Sequence, residues 1–123
     1  MRRMTKQRMA ILKCLSESER PLYVEEILSK ASVDIPQINL STVYRNIKML
    51  VQEEKVALVE LPNEKSCYEI ADKKHHHYFL CDSCHKVYFI NKCPKGLSEM
   101  FPQGFNVLGH SITLNGFCPD CND

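Results

Sequence analysis

"LSTVYRNIKMLVQEEKV", residues 40–56, decides the fold. Val43, Ile47, Leu50 and Val51 recur at helical spacing and form one apolar stripe, with Ser41 placed to cap the helix start. Tyr44, Arg45, Lys48 and Gln52 then share the opposite, exposed face. Such a face can read DNA. Arg and Gln can each make paired hydrogen bonds to a base edge, Lys neutralises phosphate, and a Tyr ring packs against a thymine methyl. A routine polar face on an amphipathic helix has the same composition, so the surroundings must decide.

Working outward, Thr5 can cap an earlier helix in which Met9, Leu12 and Leu15, with Ile11 beside them, recur to about Glu17. After the turn signal "SERP" (18–21), Val24, Ile27, Leu28 and Ala31 mark a second helix, and "DIPQIN" (34–39) breaks the pattern. On the other side, "KVALVEL" (55–61) and "SCYEI" (66–70) alternate around "PNEK", which reads as a β-hairpin. Three helices and a hairpin make a winged helix-turn-helix, whose third helix enters the major groove.

The charge distribution agrees. The chain has a formal net charge of +1, but residues 1–61 carry ten Lys/Arg against eight Asp/Glu, and residues 62–123 carry six against seven. Arg2, Arg3, Lys6, Arg8 and Lys13 all precede the first acid, Glu17. A basic arm on a nearly neutral chain tracks phosphates without making the whole surface adhesive. The candidate DNA-contacting residues are Arg3, Arg8, Ser41, Thr42, Tyr44, Arg45 and Lys48.

The second half changes style near residue 62. "HHHYFLC" (75–81), "KVYFI" (86–90) and "FNVLGHSITLNGF" (105–117) are β-rich, with a short helical piece near "CPKGLSEMF" (93–101). Two Cys-x-x-Cys pairs, Cys81 with Cys84 and Cys118 with Cys121, flank these strands. Each pair grips one side of a tetrahedral ion, and folding of the strands brings the pairs together as in a zinc ribbon. Zinc is the expected occupant, with disulfides or an iron–sulfur cluster as the alternatives, and four thiolates close its coordination sphere and make it structural. The expected class is α+β, with a winged-helix domain over 1–61, its wing hairpin and hinge continuing to about 72, and a second domain over 73–123.

With 123 residues and 44% hydrophobic content, the chain can form one compact domain or two small ones that need a metal or a partner. It has no apolar run of membrane-spanning length and no signal-like start, so a cytoplasmic location is expected, where seven cysteines point to metal or redox chemistry. Catalysis is set aside: a zinc deaminase needs a His-x-Glu triplet, which the chain lacks, and its four glycines form no phosphate-cradling loop. A zinc-ribbon metal-handling or interaction protein without DNA binding remains an alternative, although it leaves the exposed face of residues 41–54 unexplained.

Together these motifs resemble the ferric uptake regulator superfamily of metal-responsive bacterial repressors. "STVYRNIKMLVQEEKV" is similar to its recognition helix, "HHHYFLCDSCHKV" to its histidine cluster and first zinc knuckle, and "GFNVLGHSITLNGFCPDC" to its closing strand and second knuckle. The resemblance implies a homodimer of N-terminal winged helices joined by a hinge to α/β dimerisation domains. It also implies a structural Zn²⁺ on Cys81, Cys84, Cys118 and Cys121, base reading by Tyr44 and Arg45, and a minor-groove role for Arg3. The "NKCPKGL" stretch (91–97) resembles the zinc uptake branch more than the iron branch.

The family's exchangeable regulatory site transfers only in part. The positions matching its ligands are Arg20, Glu69, His76, Tyr78 and Phe89, of which Glu69 and His76 keep ordinary ligand chemistry. His75, His77 and Cys67, the last on the wing strand, are available to rebuild a site for a second divalent ion, Zn²⁺ or Fe²⁺, and the resemblance alternatively assigns His75 and His77 to the family's secondary metal site; a thiolate with imidazoles suits zinc better. On a strand, His75 and His77 share one face and His76 takes the other. Cys14, Cys93 and His110 are read as packing or capping residues, and a member that no longer senses metal at the hinge is the remaining alternative.

Overall fold

The computed structural model describes residues 5–71 and 75–122 and divides into two compact units, Met1–Lys73 and Lys74–Asp123. The first unit opens with helix α1, Lys6–Glu17, whose N-cap Thr5 accepts a hydrogen bond from the Arg8 N–H at 3.2 Å. Its buried side carries Ala10, Ile11 and Leu15, while Met9 is 58% exposed. The apolar stripe is therefore turned from the expected one, with a small alanine allowing close helix approach where methionine was expected to pack.

Helix α2, Val24–Asp34, starts where the Glu26 carboxylate accepts the Tyr23 backbone N–H, satisfying one donor that the helix cannot pair internally. Helix α3, Leu40–Gln52, is capped by Asn39, whose side chain accepts from the Thr42 N–H at 2.9 Å. The cap is thus two residues earlier than Ser41, because the asparagine ending "DIPQIN" is the first residue able to close the turn. Val43, Ile47 and Leu50 of α3 join Ile11, Leu15, Leu22, Val24, Ile27 and Val56 in one core.

The wing is a two-stranded antiparallel sheet, β1 (Val56–Val59) against β2 (Cys67–Ile70), with Val56 opposite Ile70 and Val59 opposite Cys67. Leu22 bridges to Tyr68 through two backbone hydrogen bonds of 2.8 and 2.9 Å, so the wing base is tied to the turn before α2. This tie orients the hairpin beside α3, and the arrangement is a winged helix.

The second unit is a three-stranded sheet in the order β4 (Val87–Ile90), β3 (His77–Cys81), β5 (Thr113–Gly116). Strand β3 pairs antiparallel with β4 and parallel with β5. A short 3₁₀ helix, Leu97–Met100, lies in the connection from β4 to β5. The apolar run 105–117 is strand only over its last part, Thr113–Gly116. No helix among the described residues is long and apolar enough to cross a membrane.

Candidate metal centres and nucleic-acid interface

The four paired cysteines converge. Cys81 ends β3, Cys84 follows one turn later, and Cys118 and Cys121 follow β5, which lies beside β3 in parallel register. Their sulfur atoms all lie within 4.8 Å of one another, and Cys84 Sγ is 3.9 Å from Cys118 Sγ. An ion with metal–sulfur bonds of about 2.3 Å sets tetrahedral sulfur separations of about 3.8 Å, so the donor set fits zinc. The backbone N–H groups of Cys118 and Cys84 point at Cys81 Sγ from 3.5 and 3.4 Å and pull its thiol down to about 6, which favours the thiolate a metal needs. All seven cysteines are free thiols.

A second four-donor group lies towards the other end of β3: His75, His77, Cys93 and His110, again with all ligand atoms within 4.8 Å of one another. His75 Nε2 is 3.0 Å from His77 Nε2 and 3.1 Å from His110 Nε2. Cys93 Sγ is 3.2 Å from His77 Nε2 and 3.6 Å from His110 Nε2. Tetrahedral zinc bound by nitrogen and sulfur sets donor separations of about 3.3–3.6 Å, so this set also fits an ion. Burial and the neighbouring imidazoles push the His77 pKa down, favouring the neutral ring that ligation requires. The Ile112 N–H donates to His77 Nδ1 at 3.2 Å, which fixes the ring and aims Nε2 into the group. In the neutral ring this places the proton on Nε2, so an ion held there requires the proton to move to Nδ1 and the Ile112 N–H to turn away.

This group contains only two of the residues expected for an exchangeable ion. His75 and His77 are present, but His76 faces the other way, with Nε2 3.1 Å from the Tyr78 hydroxyl and its ring edge-on to Phe89 at 5.0 Å. Glu69 and Cys67 belong to the first unit and fall in neither four-donor group. Cys67 is buried on β2 against the Val59 carbonyl, and burial, followed by the Glu69 carboxylate, pushes its thiol up to about 12. A thiol held neutral in this way is a poor ligand. Arg20 is engaged by Glu26 through both guanidinium nitrogens and also donates to the Pro21 carbonyl. Cys93 and His110 were missed because each stands alone in sequence, with no paired spacing to mark it.

On the first unit, Ser41, Tyr44, Arg45, Lys48 and Gln52 are exposed on α3, and Thr42 is half-buried. A groove of about 570 Å³ runs between this helix and the wing, lined by Tyr44, Lys48, Leu58 and Tyr68 among others. Arg8 is corrected: only 2% exposed, it is paired with Glu53 at 2.9 and 3.2 Å and cannot serve as a free phosphate contact. Arg3 lies outside the described residues.

Known proteins share this arrangement. Residues 2–115 match the ferric uptake regulator family. The chain is 32% identical over 124 residues to the ferric uptake regulation protein of Campylobacter jejuni, spanning 97% of this chain and 79% of that one. It is also 32% identical over 126 residues to the peroxide-responsive repressor PerR of Staphylococcus saprophyticus, spanning 98% and 83%. A solved zinc-bound manganese uptake regulator superposes with a TM-score of 0.85 at 28% identity, covering 95% of this chain and 91% of that one. The chain is therefore a member of the ferric uptake regulator family of metal-responsive transcription regulators.

Proposed function

We propose that the chain is a homodimeric repressor that binds operator DNA through α3 and the wing, carries one structural zinc ion, and responds to a second, exchangeable divalent ion. The observation carrying this reading is the pair of four-donor groups at the two ends of strand β3, which contributes His77 to one and Cys81 to the other. Cys81, Cys84, Cys118 and Cys121 hold the ion that fastens β3 to the segment after β5. His75, His77, Cys93 and His110 hold the exchangeable ion; the last two replace Glu69, His76 and Cys67 as candidate regulatory ligands. When bound, the ion cross-links the start of β3 to the segments carrying Cys93 and His110.

The homodimer rests on surface chemistry. Among the described residues strand β5 has one in-sheet neighbour and an open edge, and Leu114 on it and Phe105, Leu108 and Phe117 in the chain flanking it are exposed. An open edge flanked by large apolar side chains suits pairing with a second copy. On DNA, Tyr44 and Arg45 face the bases, Lys48 faces phosphate, and Arg3 is assigned to the minor groove. An exchangeable ion raises DNA affinity only to the extent that the DNA-competent arrangement holds it more tightly.

The test is metal content per chain, followed by operator binding with and without added zinc. Expected are one zinc resisting mild chelation, a second ion that chelation removes, and DNA binding that falls when the second is stripped. Equal DNA binding before and after stripping would overturn the regulatory role of the second group.

A further inference from the structure

Cys93 is an exposed cysteine whose sulfur meets two imidazoles. Exposed, it contributes little to a core, so packing does not account for it. It lies on the chain just after β4, sixteen residues from His77 and seventeen from His110, yet its sulfur comes within 3.2 and 3.6 Å of their Nε2 atoms. The donors are three nitrogens and one sulfur, with no carboxylate among them.

Taking these four residues as the exchangeable site, as proposed above, we infer that Cys93 sets the metal class of the regulator: its thiolate makes the group select zinc and reject manganese(II) and iron(II). Two physical reasons support this. A thiolate with imidazoles is a soft to borderline set, whereas manganese favours carboxylate, carbonyl and water oxygen. Four donors within 4.8 Å of one another also match a low coordination number, which a filled-shell zinc ion adopts without ligand-field cost. Manganese and ferrous ions, which take up more oxygen donors, lose on both counts. A carboxylate at position 93 removes the sulfur and restores the harder chemistry, so Cys93→Asp is the informative substitution and Cys93→Ala its control.

The experiment uses the full-length protein with its structural zinc in place, checked by metal analysis at one zinc per chain. Cobalt(II) is added first as a spectroscopic probe, and zinc and manganese are then competed against each other in wild type, Cys93→Asp and Cys93→Ala. In wild type the added cobalt should show tetrahedral visible bands and a near-ultraviolet sulfur-to-metal charge-transfer band. In both variants the charge-transfer band should vanish. Partners outside the coordination sphere are worth about 10- to 100-fold in metal affinity, so loss of a direct ligand should weaken zinc by about 100-fold or more. In Cys93→Asp manganese should weaken far less, collapsing the zinc-to-manganese ratio.

Each other outcome is decisive. If cobalt binds with histidine-only spectra, or Cys93→Asp keeps the wild-type zinc preference, the role of Cys93 is overturned while the cluster survives. If wild type takes up no second ion, or His75→Ala and His110→Ala bind it as wild type does, the cluster itself is overturned, and the inference with it.

Discussion

The guanidinium of Arg8 forks onto the carboxylate of Glu53, with nitrogen–oxygen distances of 2.9 and 3.2 Å across forty-five residues of chain. The contact ties the start of α1 to the residue that ends α3. The Arg8 side chain is 3% exposed and that of Glu53 25%, so the pair is screened on one side only. Breaking a fully buried pair costs about 3–5 kcal/mol, and partial exposure brings the expected loss for Arg8→Ala to about 1–3 kcal/mol. Denaturant unfolding should show that loss. The salt dependence of DNA binding should not change, since a cation already paired releases no counterion.

Two exposed residues of α3 should behave differently from Arg8 and from each other. Arg45→Ala should cost about 1–3 kcal/mol on the preferred operator and relax selectivity at one base position. Lys48→Ala should weaken all sequences alike and lower the salt slope by about one. Binding isotherms on operator and random duplex at several salt concentrations separate the two. Parallel losses on both duplexes would refute base reading by Arg45.

Metal loss should be separable by site. Cys81→Ser or Cys118→Ser should release the tightly held zinc and the dimer together, because the segment after β5 is then no longer fastened to β3. His110→Ala should leave that zinc and the dimer intact and lose only the chelatable ion. Sedimentation with metal analysis on the same samples distinguishes these outcomes, and a zinc-free stable dimer of Cys81→Ser would contradict the structural role.

Cys67 should be the most protected thiol of the first unit. Burial lifts it from 9.0 to about 12, so the folded chain holds this proton more tightly than the unfolded chain does. The associated stability is fully present below pH 9 and is lost as pH rises from about 9 towards 12. At pH 8 a thiol reagent should modify Cys67 only after denaturant is added, whereas prompt labelling of the native protein would show that β2 is open.

His85 sits at a φ of 63°, in the left-handed region that side chains adopt at a cost. Its N–H still donates to the Cys81 carbonyl at 2.9 Å, so the knuckle turn needs this backbone shape. Glycine supplies it without a clashing Cβ, and His85→Gly should stabilise the zinc-loaded protein by about 1 kcal/mol, visible as a raised Tm.

What could be read from the sequence follows the range over which each signal acts. The α3 stripe was legible because Val43, Ile47 and Leu50 interact through local periodicity, and the cysteine pairs were legible because their spacing is itself the geometry of a tetrahedral edge. The α1 face was partly misread because helical spacing accommodates Met9 and Ala10 almost equally, and the neighbouring helices decide which is buried. Arg8 looks the same in sequence whether it meets a phosphate or a carboxylate forty-five residues away. Cys93 and His110 join His75 and His77 only when β4 and β5 settle on either side of β3, and nothing local encodes that. The aromatic contact of His76 with Phe89 is likewise a cross-strand event, arising because Tyr78 and Phe89 are register partners.

Strand β3 contributes to both four-donor groups, His77 at its first residue and Cys81 at its last. Successive residues of a strand alternate faces, so two ligands on the same side must be separated by an even count. One inserted or deleted residue between Tyr78 and Leu80 would turn one group's donor to the opposite face, leaving the cysteines or the histidines without their partner. Unless a β-bulge absorbs the extra residue, this interval therefore lengthens or shortens two residues at a time, a parity that side-chain substitution cannot relax. Regulators built on this plan can vary the donors at either end of the strand, but the count between them is fixed as odd or even once and for all.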